Sequence, residues 1–295
     1  MPDPCAVSTA QRRQGAIWVI FSAAGFGAMA IFAKLAYRDG VTLSSMLFLR
    51  FAMAGILLAL WGQWRGMQWP RGRDLFWLMA MGGIGYVGQA YCYFSALRYA
   101  SAGMVGLLLY LYPAIVVLLS AWLVKRPIGL PRVWAVVLAL AGTALTVGGD
   151  LHSETAGILL GIGAALIYSV YILVGEGVMQ RVSPLAAATV VILSAAAVYA
   201  TGALFEGLAL PASMSGWLAV SAIALFSTVF AILGFFKGME KLGAADASTL
   251  STMEPLITLL LAAVVLGEVV MPIQLVGGVL ILGAVVYLAR SPQIS

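Results

Sequence analysis

Residues 102–126 read AGMVGLLLYLYPAIVVLLSAWLVKR, and residues 244–268 read AADASTLSTMEPLITLLLAAVVLGE. The second stretch lies 142 positions after the first, and that one offset pairs Ala102 with Ala244, Pro113 with Pro255, Leu118-Leu119 with Leu260-Leu261 and Ala121 with Ala263. The same offset lays Gly157 on Gly15 and Ala165 on Ala23, close to the start of each half. The chain therefore reads as one unit written twice, and the fold follows from what that unit is and how many spans it holds.

The unit belongs in lipid. Of 295 residues, 63% are hydrophobic and 9% charged, and the mean hydropathy is +1.04. A soluble domain carries about 25% charged residues, so this chain lacks the charge to coat a water-facing surface of its size. Its apolar runs are long and continuous, without the strict alternation of barrel strands, which makes them helices. Ten spans fit the length at about 20 residues each, near 15–35, 43–63, 74–97, 101–124, 131–149, 156–176, 184–206, 214–236, 244–266 and 272–290. Asp39-Gly40, Trp69-Pro70-Arg71-Gly72, Lys125-Arg126-Pro127, Asp150 through Glu154 and Ser183-Pro184 supply the breaks. Expected are a tail over 1–14 and two five-helix units over 15–149 and 156–290. Five is odd, so the second unit enters the membrane from the opposite face. The expected fold is an all-α membrane protein of ten transmembrane helices in two inverted five-helix repeats, an arrangement that in secondary transporters places the substrate near the midplane between the halves.

Net charge of +5 and a pI near 9.3 do not indicate nucleic acid, because the cations are scattered between apolar runs. They indicate orientation. With the N-terminus inside, twelve Lys and Arg fall in inner segments and only Lys34, Arg38 and Arg98 in outer ones, with Arg50 inside a span. Both termini are expected in the cytoplasm. Arg12-Arg13 precede an apolar run with no cleavage site after it, so the first run is expected to be retained as a helix. Cys5 and Cys92 lie in the tail and in a span, an unsuitable pair for a disulfide.

Polar residues inside the spans are few. The one histidine, His152, is in a loop, so neither a His-based metal site nor a Ser-His-Asp triad can form in the membrane. With no P-loop either, energy is expected from a substrate or ion gradient. Tyr86, Gln89 and Tyr93 share one face of the third span. Either they wall a cavity, or they bridge helices as polar glue. Tyr110 and Tyr112 in the fourth span and Tyr168 and Tyr171 in the sixth lie too deep for an interfacial belt; they either stack on a ligand or pack. Ser248 and Thr252 share a face in the ninth span as candidate ligand hydroxyls. Glu254, mid-span and directly before Pro255, is an intramembrane acid with three readings: proton coupling, an ion pair with a cation such as Arg50, or a structural carboxyl. Arg50 can snorkel, meet Glu254 or attract a substrate carboxylate. Pro113 and Pro255 are expected to bend their helices at matching depth.

The stretch Glu254-Pro255-Leu256 through Leu266-Gly267-Glu268, followed by Gln274 and Gly277-Gly278, resembles the EamA-type domain of the drug/metabolite transporter superfamily. That domain has a proline midway along its fourth span, a Gly-Glu pair at that span's end and a Gly-rich fifth span. Pro113 and Arg50 carry the resemblance in the first half, while Lys125-Arg126 departs from it where Gly267-Glu268 stand in the second. The resemblance implies a ten-helix carrier with alternating access that moves metabolites, often outward, and the aromatic-amino-acid exporters of bacteria are the branch most similar to these aromatic-rich spans. The expected function is thus secondary export of small metabolites, amino acids first and aromatic ones most specifically, from the bacterial inner membrane. No enzyme, cofactor, metal or nucleic acid is expected; the partners are a small-molecule substrate and membrane lipid. A chamber lined by tyrosines and hydroxyls, with Arg50 as its single intramembrane cation, suits a zwitterion better than a polyanion. Efflux of lipophilic cations with Glu254 as counter-ion is the alternative, and a membrane-embedded lipid-modifying enzyme a remote one, since no acidic or His cluster is present to hold a metal.

Overall fold

A computed structural model describes residues 9–124, 130–149, 153–179, 181–242, 247, 250–251 and 253–290. Among them are ten helical spans: α1 (Thr9–Arg38), α2 (Leu43–Trp64), α3 (72–96), α4 (102–124), α5 (Leu130–Gly149), α6 (Thr155–Met179), α7 (Pro184–Glu206), α8 (214–242), α9 (its described helix 254–266) and α10 (Pro272–Arg290). Gln11–Arg38, Leu43–Trp64, Thr155–Gly175, Pro184–Glu206 and Met214–Met239 are each apolar and long enough to cross a membrane. Phe205, Val264 and Ile84 stand exposed on the outside of the bundle, as side chains facing lipid do. α1 begins at Thr9, so the end of the expected tail is already helical.

Short polar residues start the helices. Ser101, Ser183 and Ser213 each accept a hydrogen bond from the backbone N–H three residues on, at 3.2, 3.3 and 3.2 Å. A free N–H at a helix start needs such an acceptor, and membrane segments have little water to provide one.

The pairing of helices has the symmetry of the repeat. Exchanging α1–α5 with α6–α10 turns α1·α8 into α3·α6, α1·α9 into α4·α6 and α2·α8 into α3·α7. All of these pairs pack, and so do the pairs that map onto themselves, α2·α7, α4·α9 and α5·α10. The two inverted five-helix repeats are thus built into one interlocked bundle. Small residues let the backbones close. Ser22 Oγ donates to the Ala231 carbonyl at 2.7 Å between α1 and α8, and Thr258 Oγ1 donates to the Gly27 carbonyl at 3.0 Å between α9 and α1.

Two features position the site. First, the helices are interrupted at matching places. α4 turns at Tyr110–Leu111 ahead of Pro113, and in α9 a turn at Met253 precedes Pro255. Second, α3 contains a π-helical segment, Met81–Tyr86, and α8 another, Leu225–Phe230, nearly 142 residues later. A third, Ala262–Leu266, ends α9. π segments insert an extra residue and re-aim side chains, often at functional sites.

The two ends of the bundle are tied differently. At the end carrying the α1–α2 turn, here the distal face, Glu268 forms an ion pair with Lys34 at 2.9 Å. Its two oxygens also accept from the Ala102 N–H at 3.0 and 2.9 Å, and one from the Gly103 N–H at 3.5 Å. Asp39 accepts from the Ser213 N–H at 3.1 Å, and the Glu154 N–H donates to the Tyr99 carbonyl at 2.8 Å. Each contact joins the first half to the second. At the opposite face Arg181 holds Asp74 at 2.7 Å and Lys241 Nζ donates to Gln14 at 2.9 Å.

Candidate functional site

Arg50 lies on α2 and is 2% exposed. Its Nε donates to Thr228 Oγ1 at 3.1 Å, and that hydroxyl donates in turn to the Ile223 carbonyl at 2.9 Å. The donation spans five residues, so the π segment of α8 is what turns Thr228 toward Arg50. The guanidinium lies over Phe51 and Phe94, 4.8 and 5.1 Å from their ring centroids, and Tyr86, Tyr93 and Tyr199 surround it. Tyr86 closes the π segment of α3, and Thr228 is its counterpart at the offset of 142. One cation is thus gripped by equivalent positions of both halves. Among the described residues the ion pairs are Lys34–Glu268 and Arg181–Asp74, so no carboxylate answers Arg50. The expected alternative of an Arg50–Glu254 ion pair is not formed: the two belong to separate clusters.

Glu254 heads the second cluster. Tyr110 Oη is 3.0 Å from its Oε2 and 3.0 Å from the Ser251 carbonyl oxygen. From Tyr110 an arc of rings leads back toward Arg50. Centroids are 6.1 Å apart for Tyr110 and Tyr112, 4.9 Å for Tyr112 and Tyr168, 6.0 Å for Tyr168 and Tyr171, 6.1 Å for Tyr171 and Tyr86, and 5.4 Å for Tyr86 and Phe51. Helices α2, α3, α4 and α6 contribute, so the arc crosses from one half to the other. Tyr86, Tyr112, Tyr168, Tyr171 and Glu254 are only half-buried although they lie among these helices. Gln89 is 9% exposed and makes no hydrogen bond to a described residue, which leaves its amide for water or a ligand. Tyr93 is buried beside Phe94 and within the field of both Glu254 and Arg50.

Of the sequence candidates, the structure brings together Tyr86, Tyr93, Tyr110, Tyr168 and Tyr171 with Glu254 at one end of the arc and Arg50 at the other. Ser248 and Thr252 lie outside the described residues. Tyr91 is 53% exposed and faces away. Sequence reasoning missed Thr228, Tyr199, Phe51 and Phe94. Only Thr228 carried a signal, its repeat relation to Tyr86. An apolar groove of 370 Å³ between α1, α8 and α9, near Ala28, Phe32 and Phe226, offers no polar side chain and is not this site. No cluster of metal-binding side chains occurs among the described residues.

The profile of the EamA-like transporter family matches residues 13–148 and again residues 155–290. The chain belongs to the EamA-like transporter family. It is a transporter and not an enzyme. It is similar to an aromatic amino acid exporter, YddG, of Ancylobacter novellus, with 28% identity over 257 residues, covering 81% of this chain and 86% of that protein. It is also similar to the threonine/homoserine exporter RhtA of Escherichia coli, with 28% identity and 86% of each chain covered. A probable terminal-alkyne amino-acid exporter of Streptantibioticus cattleyicolor shares 26% identity over 93% of each chain. A solved crystal structure superposes with a TM-score of 0.68 at 23% identity, over 93% of this chain and 96% of that one, which bears on the fold alone.

Proposed function

We propose that this EamA-like transporter exports amino acids, aromatic ones favoured, by alternating access between its inverted halves. The observation that carries the reading is Arg50. A buried guanidinium with no described carboxylate partner is costly to keep in a membrane, and a planar fork of donors suits an incoming carboxylate. The tyrosine arc beside it offers ring faces to an apolar or aromatic side chain and hydroxyls to polar ends. Gln89 supplies a further hydrogen-bonding group. Amino-acid exporters recur among the relatives, which supports the same substrate class.

The excess of Lys and Arg toward the terminal face supports termini in the cytoplasm, with the distal face outside. In that orientation the Glu268–Lys34 contact closes the external end. The bacterial exporters among the relatives support an inner-membrane location, and the repeat supports one five-helix unit over 15–149 and a second over 156–290. Ser248 and Thr252 remain proposed ligand hydroxyls on the strength of the sequence.

A counterflow panel in proteoliposomes tests the reading. Vesicles loaded with unlabelled phenylalanine, tryptophan, threonine or a lipophilic cation are offered the labelled compound. Saturable exchange of phenylalanine or tryptophan is expected. Exchange confined to the lipophilic cation would assign Glu254 as a counter-ion and overturn the amino-acid reading.

A further inference from the structure

Pro255 has no N–H, so the carbonyl four residues before it, that of Ser251, loses its helical donor. Tyr110 Oη stands 3.0 Å from that carbonyl and equally 3.0 Å from Glu254 Oε2. A tyrosine hydroxyl has one hydrogen and cannot give both oxygens a full, linear hydrogen bond. Both contacts are full hydrogen bonds only when Glu254 is neutral: its O–H donates to Tyr110 Oη, and Tyr110 donates to Ser251.

From this geometry we infer that Glu254 is a proton-binding site whose occupancy Tyr110 relays to the break in α9. With the proton bound, the relay Glu254–Tyr110–Ser251 is complete and joins α4 of one half to α9 of the other. When the proton leaves to water, the carboxylate has only acceptors, and Tyr110 turns its single hydrogen to it. The Ser251 carbonyl is then left without a donor at the point where Pro255 has already removed one. A part-buried carbonyl so abandoned favours a rearrangement that finds it a new partner, and the turn at Met253 is where α9 can give. The proton therefore selects between two arrangements of the α4–α9 contact. Glu254 is a ligand group for the proton, and Tyr110 is a positioning residue that acts through Ser251.

The groups around Glu254 leave the carboxylate poorly served by any other route. Tyr110 and Tyr112 face it from α4, Tyr93 from α3 and Tyr168 from α6. α1 presents the backbone of Gly27, where a Cβ would come 2.9 Å from the Glu254 carbonyl. No cation stands in ion-pair contact with it among the described residues. This inference deepens the proposed export by naming its coupling ion.

The test is made on the purified full chain in lipid nanodiscs without substrate, so its outcome is independent of which solute is carried. Infrared difference spectra follow the carboxylic-acid band that Glu254→Gln removes. A spin-label pair at Leu118→Cys on α4 and Leu250→Cys on α9 follows the helix contact. In the otherwise native chain, with its own cysteines replaced, the band titrates between about pH 5 and 9 and the label distance changes over the same range. Glu254→Gln holds the acid-form distance at every pH. Tyr110→Phe keeps a titrating band but loses at least half of the distance change. A band that does not titrate in that range overturns the proton site, whether or not the Gln variant folds. A Tyr110→Phe protein whose distance follows pH as the native one does overturns the relay.

Discussion

Arg50 concentrates the argument at the scale of single residues. Its charge is surrounded by ring faces and held by donation from Nε to Thr228 and by the hydroxyl of Tyr86, which leaves the rest of the planar fork for a ligand. Hydrogen bonds to charged groups contribute about 1.5–3 kcal/mol each. Arg50→Lys keeps the charge and loses the fork, and we expect KM for phenylalanine to rise roughly tenfold or more. Phenylalaninamide, which lacks the carboxylate, should compete at least about tenfold more weakly than phenylalanine against the native protein. In Arg50→Gln, where transport is expected to be lost, the two compounds should bind the purified protein equally weakly. Transport competition checks the native protein, and equilibrium binding of both compounds checks Arg50→Gln. Arg50 and Glu254 were legible in the sequence as ionisable side chains inside apolar runs. Their separation was not, because only the folded bundle shows that rings occupy the space between them.

At the scale of helices, the distal face is held by carboxylates at helix starts. Glu268 caps α4 and pairs with Lys34, and a charge at a helix N-terminus is worth about 1 kcal/mol. Glu268→Gln is expected to shift the population toward an open distal face about fivefold. Labelling of Tyr112→Cys by a membrane-impermeant thiol reagent, added at that face in a background without Cys5 and Cys92, reads the shift. Asp39 does similar service for α8. Its carboxyl is held below the usual range first by the Ser213 hydroxyl and next by the Ser213 N–H. A lowered acid stabilises the fold above its unfolded value, about pH 4, and the benefit is lost as pH falls through the folded value. Thermal unfolding between about pH 3 and 7 should therefore show a steeper acid loss in the native chain than in Asp39→Asn. The α5–α10 contact makes a third case. A Cβ at Gly142 would come 2.6 Å from the Gly277 carbonyl, so Gly142→Leu should lower stability by about 1–3 kcal/mol, seen as a fall in Tm. The α4 turn before Pro113 and the matching α9 turn before Pro255 were legible from the prolines. The π segments of α3 and α8 were not, since one inserted residue leaves hydropathy and composition unchanged.

At the scale of the whole molecule, one offset of 142 residues and an odd number of spans dictated the inverted halves, and the helix pairs obey that symmetry. The symmetry is broken where the chemistry lies. Glu254 of the second half corresponds to Tyr112 of the first, and Arg50 to Ile192. The unmatched acid and cation stand at opposite ends of the arc of rings and give the proposed transport path its polarity. The most direct measurement is counterflow of labelled phenylalanine in proteoliposomes carrying either the native chain or Arg50→Gln, with folding of both verified by Tm. Saturable exchange by the native chain that falls to the level of empty vesicles in Arg50→Gln is the predicted result. Equal exchange by the two proteins, or none by the native chain, would contradict the account.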